Sequence, residues 1–188
     1  TGVRVKVDND ANCFALGEYF RWKMDLVGIT IGTGLGGGII INGNIYHGKR
    51  DAGEFGHMTV VLNGRKCTCG NRGCLEEYVS IRAFRRETKR FFGKRMDPKE
   101  VYLLARSGDK KAKQIFERVG KFLGVGLANI ANVLNPELIV IGGGISEAGK
   151  FLLDPARREM EKRLMVSKPR VVLGKQYSAA FGAVMLWR

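Results

Sequence analysis

Pro136-Glu137-Leu138-Ile139-Val140-Ile141-Gly142-Gly143-Gly144 is the stretch on which the fold turns. Its continuous, largely β-branched apolar run predicts a strand from Leu138 to Ile141 buried on both faces, and the glycines stop it where ligands of open α/β sheets bind. Upstream, Ile115, Phe116, Val119, Phe122, Leu123, Leu127, Ile130, Ala131 and Leu134 recur at helical spacing, so Lys113 to Leu134 reads as a helix stopped by Asn135-Pro136. Downstream come a helix from about Phe151 to Leu164, a strand Arg170 to Leu173 and a closing helix Ala179 to Trp187. Between Ser80 and Arg118 the pattern is helical and basic, broken by Gly93, Asp97-Pro98 and Gly108, with no linker to mark a second domain.

Towards the N-terminus, Leu26 to Ile31, Gly37 to Ile41 and Asn44 to Tyr46 are three short β segments separated by glycine-rich or Asn-Gly turns, an antiparallel meander. Asp8-Asn9-Asp10 caps a helix running through Phe14, Leu16 and Tyr19. The alternation Val3, Val5, Val7 reads as a strand of something that began before Thr1, which marks the chain as a piece of a longer protein. Three antiparallel strands followed by parallel ones, with helices between, define an α/β fold with a mixed sheet flanked by helices.

The 188 residues suffice for one full core, and 45% apolar content is ordinary for a soluble protein. No apolar run approaches the ~20 residues needed to cross a bilayer, and nothing signals secretion, so the expected location is cytoplasmic. A formal charge of +14 invites a nucleic-acid reading. The cations concentrate in Arg82 to Lys99 and Arg157 to Lys175, where they alternate with apolar residues and some acids as solvated helix faces do. No DNA- or RNA-binding motif sharpens the alternative.

His57, Cys67, Cys69 and Cys74 fall within eighteen residues. Cys67 and Cys69 are too close for an ordinary disulfide loop, whereas zinc accepts sulfurs at about 2.3 Å while glycines let the backbone curl around it. Four protein ligands leave no open position to activate water, so the expected zinc is structural. Cys13 stands apart on the first helix and is expected to be a buried thiol without chemistry.

Gly32-Thr33-Gly34-Leu35-Gly36-Gly37-Gly38 lies between two strands, where its amides and the Thr33 hydroxyl can wrap phosphate oxygens, or simply make a tight turn. It lacks the following helix of a dinucleotide fingerprint and the Gly-Lys-Ser/Thr ending of a Walker loop. Asp10, at a helix start, reads first as a cap.

Taken together, Asn9-Asp10-Ala11-Asn12, the Gly32 to Gly38 loop, Gly53-Glu54-Phe55-Gly56-His57, the string Cys67 to Glu76 and Pro136 to Gly144 resemble the ROK family, named for repressors, open reading frames and kinases. The resemblance covers nearly the whole chain in order. It implies an actin-like ATPase (ribonuclease H-like) lobe with a zinc-binding loop at 53–76. Residues 1–22 would be the end of the preceding lobe and the interdomain helix, and 23–188 the C-terminal lobe; the N-terminal lobe, with the first phosphate motif, is absent from this chain. Asp10 would match the general base, and Asn9, Glu54, His57 and Glu76 the residues that hold sugar hydroxyls. His57, Cys67, Cys69 and Cys74 would match the zinc ligands. Gly32, Thr33, Gly34 and Gly36 would line the phosphates of ATP, and Gly142, Gly143 and Gly144 the wall beside the adenosine.

The implied function is an ATP-dependent sugar kinase acting on a hexose such as glucose or N-acetylglucosamine at a primary hydroxyl, with Mg²⁺ accompanying ATP. The alternative within the family is a sugar-responsive transcriptional repressor, which would bind DNA through a helix-turn-helix lying upstream. Retention of Asp10 favours the kinase. The resemblance also suggests a homo-oligomer, and this lobe alone is expected to be inactive.

Overall fold

The computed structural model describes residues 2–187. Five strands, β1 (Leu26–Ile31), β2 (Leu35–Ile41), β3 (Asn44–Ile45), β4 (Leu138–Gly142) and β5 (Arg170–Leu173), form one sheet in the order β3-β2-β1-β4-β5. β1 pairs antiparallel with β2 and parallel with β4, and β4 pairs parallel with β5, so the sheet is mixed as its strand pattern predicts. The central position of β4 explains its unbroken apolar run: all five of its residues are buried, with helices on both faces of the sheet.

Alternation within the strands divides the core in two. Val27, Ile29, Ile31, Ile139 and Ile141 face one large cluster with α5 (Lys110–Leu134) and α6 (Lys150–Glu161). Leu26, Ile40, Leu138 and Val140 face a smaller one built on α1 (Asp10–Trp22). Against α1 lies α7 (Ser178–Met185), so close that a Cβ on Gly182 would meet the Cys13 carbonyl. The large cluster is completed by α2 (Glu76–Val79), α3 (Ile81–Phe92) and α4 (Pro98–Arg106).

The helix boundaries follow local chemistry. Gly93 ends α3 in the left-handed region, Asp97 and Glu100 close a capping box ahead of α4, and Asp109 caps α5 through the Ala112 amide. Asn135 adopts φ 44° and ends α5 immediately before Pro136. Among the described residues no helix is long and apolar enough to cross a membrane.

Two expectations need correction. Val3, Val5 and Val7 form no strand: they are 73, 75 and 87% exposed and pair with no sheet edge among the described residues. Alternation supplies a face but not a partner, and a strand needs both. The segment is tied instead to the end of the chain, where Lys6 Nζ donates to the Leu186 carbonyl at 2.6 Å and lies over the Trp187 ring. The cations of the Arg82 stretch, expected to be a solvated face, partly neutralise buried acids. Arg82 pairs with Glu76 at 2.8 Å and Glu77 at 3.4 Å, and Arg86 with Glu77 at 2.7 Å.

Candidate functional site

At the carboxyl end of β1 and β4 the sheet opens into a cleft of about 590 Å³, bounded by the first turn of α1, the β1–β2 turn, Glu76 and the residues after β4. Asp10 stands on its rim at the first position of α1. The cap itself is Asn9, whose Oδ1 accepts the Ala11 amide at 2.8 Å. Asp10 Oδ1 shares that amide, accepting it at 2.9 Å, and Asp10 Oδ2 has no hydrogen bond or ion pair among the described residues. Its exposed carboxylate sits at the N-terminus of α1.

The glycine loop divides into two functions. Gly32, Thr33, Gly34 and Gly36 line the cleft. Gly37 and Gly38 serve packing: a Cβ on Gly37 would lie 2.3 Å from the Phe55 ring and 2.5 Å from the Gly53 carbonyl, and one on Gly38 2.6 Å from the Ala11 carbonyl. The second loop divides likewise. Gly143 and Gly144 line the cleft, with Gly143 at φ 85° and its missing Cβ only 2.4 Å from the Ile31 carbonyl. Gly142 is buried at the strand end and makes room for the Phe14 ring, so it is not part of the cleft wall.

Asn9 and Glu54 line an adjoining hollow of about 310 Å³ that meets the cleft at Gly36. Glu54 belongs to the turn before a short 3-10 segment, Phe55–His57, and is 62% exposed in its side chain. Glu76 faces the main cleft and is held from three sides: Arg82 at 2.8 Å, Cys67 Sγ at 3.6 Å and the Leu35 amide at 3.4 Å. The structure thus groups Asp10 with Glu76 and Asn9 with Glu54 in adjoining hollows, while His57 connects Glu54 to the cysteine loop.

That loop is built by backbone pairing between Thr59 and Cys74 and between Lys66 and Arg72, with the Cys67 amide bonded to the Asn71 carbonyl at 2.8 Å. It brings together one ligand atom from each of His57, Cys67, Cys69 and Cys74, all within 4.8 Å of one another. Cys67 Sγ lies 3.7 Å from His57 Nδ1, and Cys69 Sγ 3.7 Å from Cys74 Sγ. Tetrahedral zinc with bonds of about 2.3 Å places its ligands about 3.8 Å apart, so the donor set fits that ion. His57 Nε2 is left on the opposite side of the ring, 3.8 Å from Glu54. Burial and the neighbouring thiols push the Cys74 thiol up to about 12, whereas the hydrogen bond from the Asn71 backbone draws Cys69 down. Metal uptake at such a set must displace protons. Cys13 is 5% exposed on α1 and far from this cluster in role, as expected of a packing thiol.

One interaction escaped the sequence reading. Asp8 Oδ2 lies 2.8 Å from His47 Nε2, while its Oδ1 accepts Asn12 Nδ2 at 2.7 Å and the Asn9 amide at 2.8 Å. Burial opposes ionisation of Asp8, but the hydrogen bonds from Asn12, His47 and Asn9 outweigh it and hold the carboxyl below its ordinary value. This clamp joins the turn before Glu54 to the residues preceding Asp10. Asp8 and His47 are thirty-nine positions apart, and no local pattern pairs them.

An α/β fold with a glycine-walled cleft at the carboxyl ends of β1 and β4, carboxylates lining it and a cysteine-histidine loop alongside, is the class of protein these features define. The ROK family profile matches residues 1–188, and this chain belongs to the ROK family. It is 39% identical over 96% of its length to a glucokinase of Halalkalibacterium halodurans, and 37% identical over 90% of its length to an N-acetyl-D-glucosamine kinase of Yersinia enterocolitica. It spans 60% and 61% of those proteins, about three fifths of the curated relatives' length. Among solved structures it superimposes with TM-score 0.90 on a ROK family glucokinase from Streptomyces griseus in complex with glucose and AMPPNP, at 34% identity, covering 99% of this chain and 69% of that one. A ROK family transcriptional regulator homologous to the E. coli MLC protein matches with TM-score 0.88 at 29% identity, covering all of this chain and 53% of that one.

Proposed function

We propose that this chain is the C-terminal lobe, with its leading helix, of an ATP-dependent sugar kinase that phosphorylates a hexose such as glucose or N-acetylglucosamine at a primary hydroxyl. Residues 1–22 finish a preceding lobe and supply the connecting helix, and 23–188 form the second lobe. Asp10 is the general base. The observation that carries this reading is its placement: a carboxylate at the first position of α1, lining the same cleft as the turn at residues 32–36 and as Gly143 and Gly144.

Phosphoryl transfer asks the protein mainly for alignment and charge neutralisation, with a carboxylate to accept the proton of the attacking hydroxyl. Asn9, Glu54, His57 and Glu76 hold the sugar hydroxyls, the carboxylates accepting and the free Nε2 of His57 completing the set. Gly32, Thr33, Gly34 and Gly36 receive the phosphates of ATP, which comes with Mg²⁺, and Gly143 and Gly144 flank the nucleoside. Zinc held by His57, Cys67, Cys69 and Cys74 is structural. When bound it would supply rigidity to the loop, fixing the ring orientation of His57. The working protein is cytoplasmic and a homo-oligomer.

The test is ATP- and sugar-dependent ADP release by the full-length protein. Asp10→Asn should lower kcat by about 10²–10⁴-fold while sugar binding persists. Undiminished turnover would remove Asp10 from the role. The second reading, a sugar-responsive repressor, is favoured by the match to the transcriptional regulator over all of this chain. It predicts sugar binding without ATP turnover, and release of operator DNA on adding sugar.

A further inference from the structure

The nucleotide end of the cleft poses an electrostatic problem. Three carboxylates line the cleft, Asp10, Glu76 and Glu147, and a nucleoside triphosphate brings several more negative charges. Two of the three are engaged: Glu76 pairs with Arg82, and Glu147 accepts a hydrogen bond from Gln176 Nε2. Lys175 is the one lysine or arginine among the residues lining the cleft, and its ammonium has no hydrogen bond or ion pair among the described residues.

Its backbone, by contrast, is locked. The Lys175 amide donates to Glu18 Oε1 at 2.7 Å, and the same oxygen accepts the Ser178 hydroxyl at 2.6 Å. Glu18 Oε2 accepts Trp22 Nε1 at 3.1 Å and lies 3.4 Å from Arg21. Glu18 is fully buried in α1, the helix that begins at Asp10. The preceding residue, Gly174, donates to the Ile141 carbonyl at 2.9 Å and presses so near Phe14 that a Cβ would lie 2.5 Å from the ring. A buried carboxylate holds the loop, and the lysine on that loop, exposed and unpaired among the described residues, lines the same cleft as Gly143 and Gly144.

We infer that Lys175 is a ligand of the nucleotide's phosphates, and that Glu18 is the positioning residue which fixes it relative to Asp10. The inference rests on the kinase reading and adds to it the cation which the glycine loops lack. Lysine suits the task as a compact point charge that can follow a polyphosphate without demanding a planar, bidentate partner.

Calorimetric titration of the full-length protein with Mg-ATP and, separately, with AMP tests this. Lys175→Met should raise the Kd for ATP about tenfold, the size of one charge-assisted contact made by an exposed side chain, with a smaller effect on AMP and none on sugar affinity. Lys175→Arg should restore most of the loss. Added salt should weaken ATP binding more in the parent protein than in Lys175→Met. Glu18→Ala removes the acceptor of the Lys175 amide and the Ser178 hydroxyl and should weaken ATP binding in the same direction; in a Lys175→Met background it should add nothing, because its effect passes through the lysine. Unchanged ATP affinity in Lys175→Met overturns the inference and leaves the kinase reading standing, as does an equal loss of ATP, AMP and sugar binding. A parent protein that binds neither nucleotide overturns both.

Discussion

Asp8 shows how a single residue can hold two parts of a site in register. Its carboxylate serves Asn12, the Asn9 amide and His47 at once, so the turn leading to Glu54 is fastened to the start of α1. Its ordinary value is 3.8 and folding lowers it. The stabilisation is thus present above that value and is lost as pH falls through the lower, folded one. Asp8→Asn should therefore lower the urea midpoint at about pH 5, and the gap from the parent should close as pH falls below 3.8. A gap independent of pH would show that the carboxylate's charge is not what matters. Arg82 is a parallel case. Its removal takes the paired cation from Glu76, whose side chain is 9% exposed, while Glu77 keeps Arg86 at 2.7 Å. Arg82→Met should cost about 1–2 kcal/mol in chemical denaturation, below the figure for a fully buried pair because the guanidinium is itself partly solvated. Turnover at low sugar should fall as well, since Glu76 would lose the partner that orients it.

At the scale of elements, the contact between α1 and β2 sets the position of Asp10. Gly38 lets the helix backbone approach within a distance at which a Cβ would strike the Ala11 carbonyl and the Ala15 side chain. Gly38→Ala should push α1 outward and destabilise the fold by about 1–3 kcal/mol; if Asp10 is the proposed base, kcat should fall more than sugar affinity, because Asp10 moves while Glu54 and Glu76 stay. The cysteine loop makes a separate prediction. Purified protein should carry about one equivalent of zinc, and Cys69→Ser should loosen both metal and sugar. Metal affinity should fall with falling pH, because the thiols must lose their protons to bind, Cys74 most of all with its thiol pushed to about 12. Sugar affinity that survives complete removal of the metal would detach the loop from the sugar pocket.

For the whole molecule, one sheet with helices on both faces carries the stability and places the cleft where β1 and β4 end. Ile139 is fully buried at its centre, and Ile139→Ala should cost about 2–5 kcal/mol, read as a fall in urea midpoint with unchanged slope. Element types and order were legible because each depends on its neighbours in sequence: the helical period before Asn135, the unbroken run from Leu138, the Asn-Gly turn ahead of β3, the glycine ending α3. The four metal-type ligands were legible for the same reason, being confined to eighteen residues. Alternation at Val3, Val5 and Val7 misled because pairing depends on an edge elsewhere, about which a local pattern says nothing.

By itself, then, the amino-acid sequence determined the α/β class, the capped start of α1, the glycine turns and the cysteine-histidine string, all properties of backbone preference and short-range spacing. Tertiary structure alone decided which glycines face the cleft and which admit a neighbouring chain, that Asp10 lines the cleft, that Arg82 balances Glu76 and Glu77, and that Asp8 meets His47. It also decided that Glu18, 157 residues before Lys175, holds that lysine's backbone at the cleft. Each of these depends on distances across the fold, which arise only when separate elements pack and bring remote charges and carbonyls within reach.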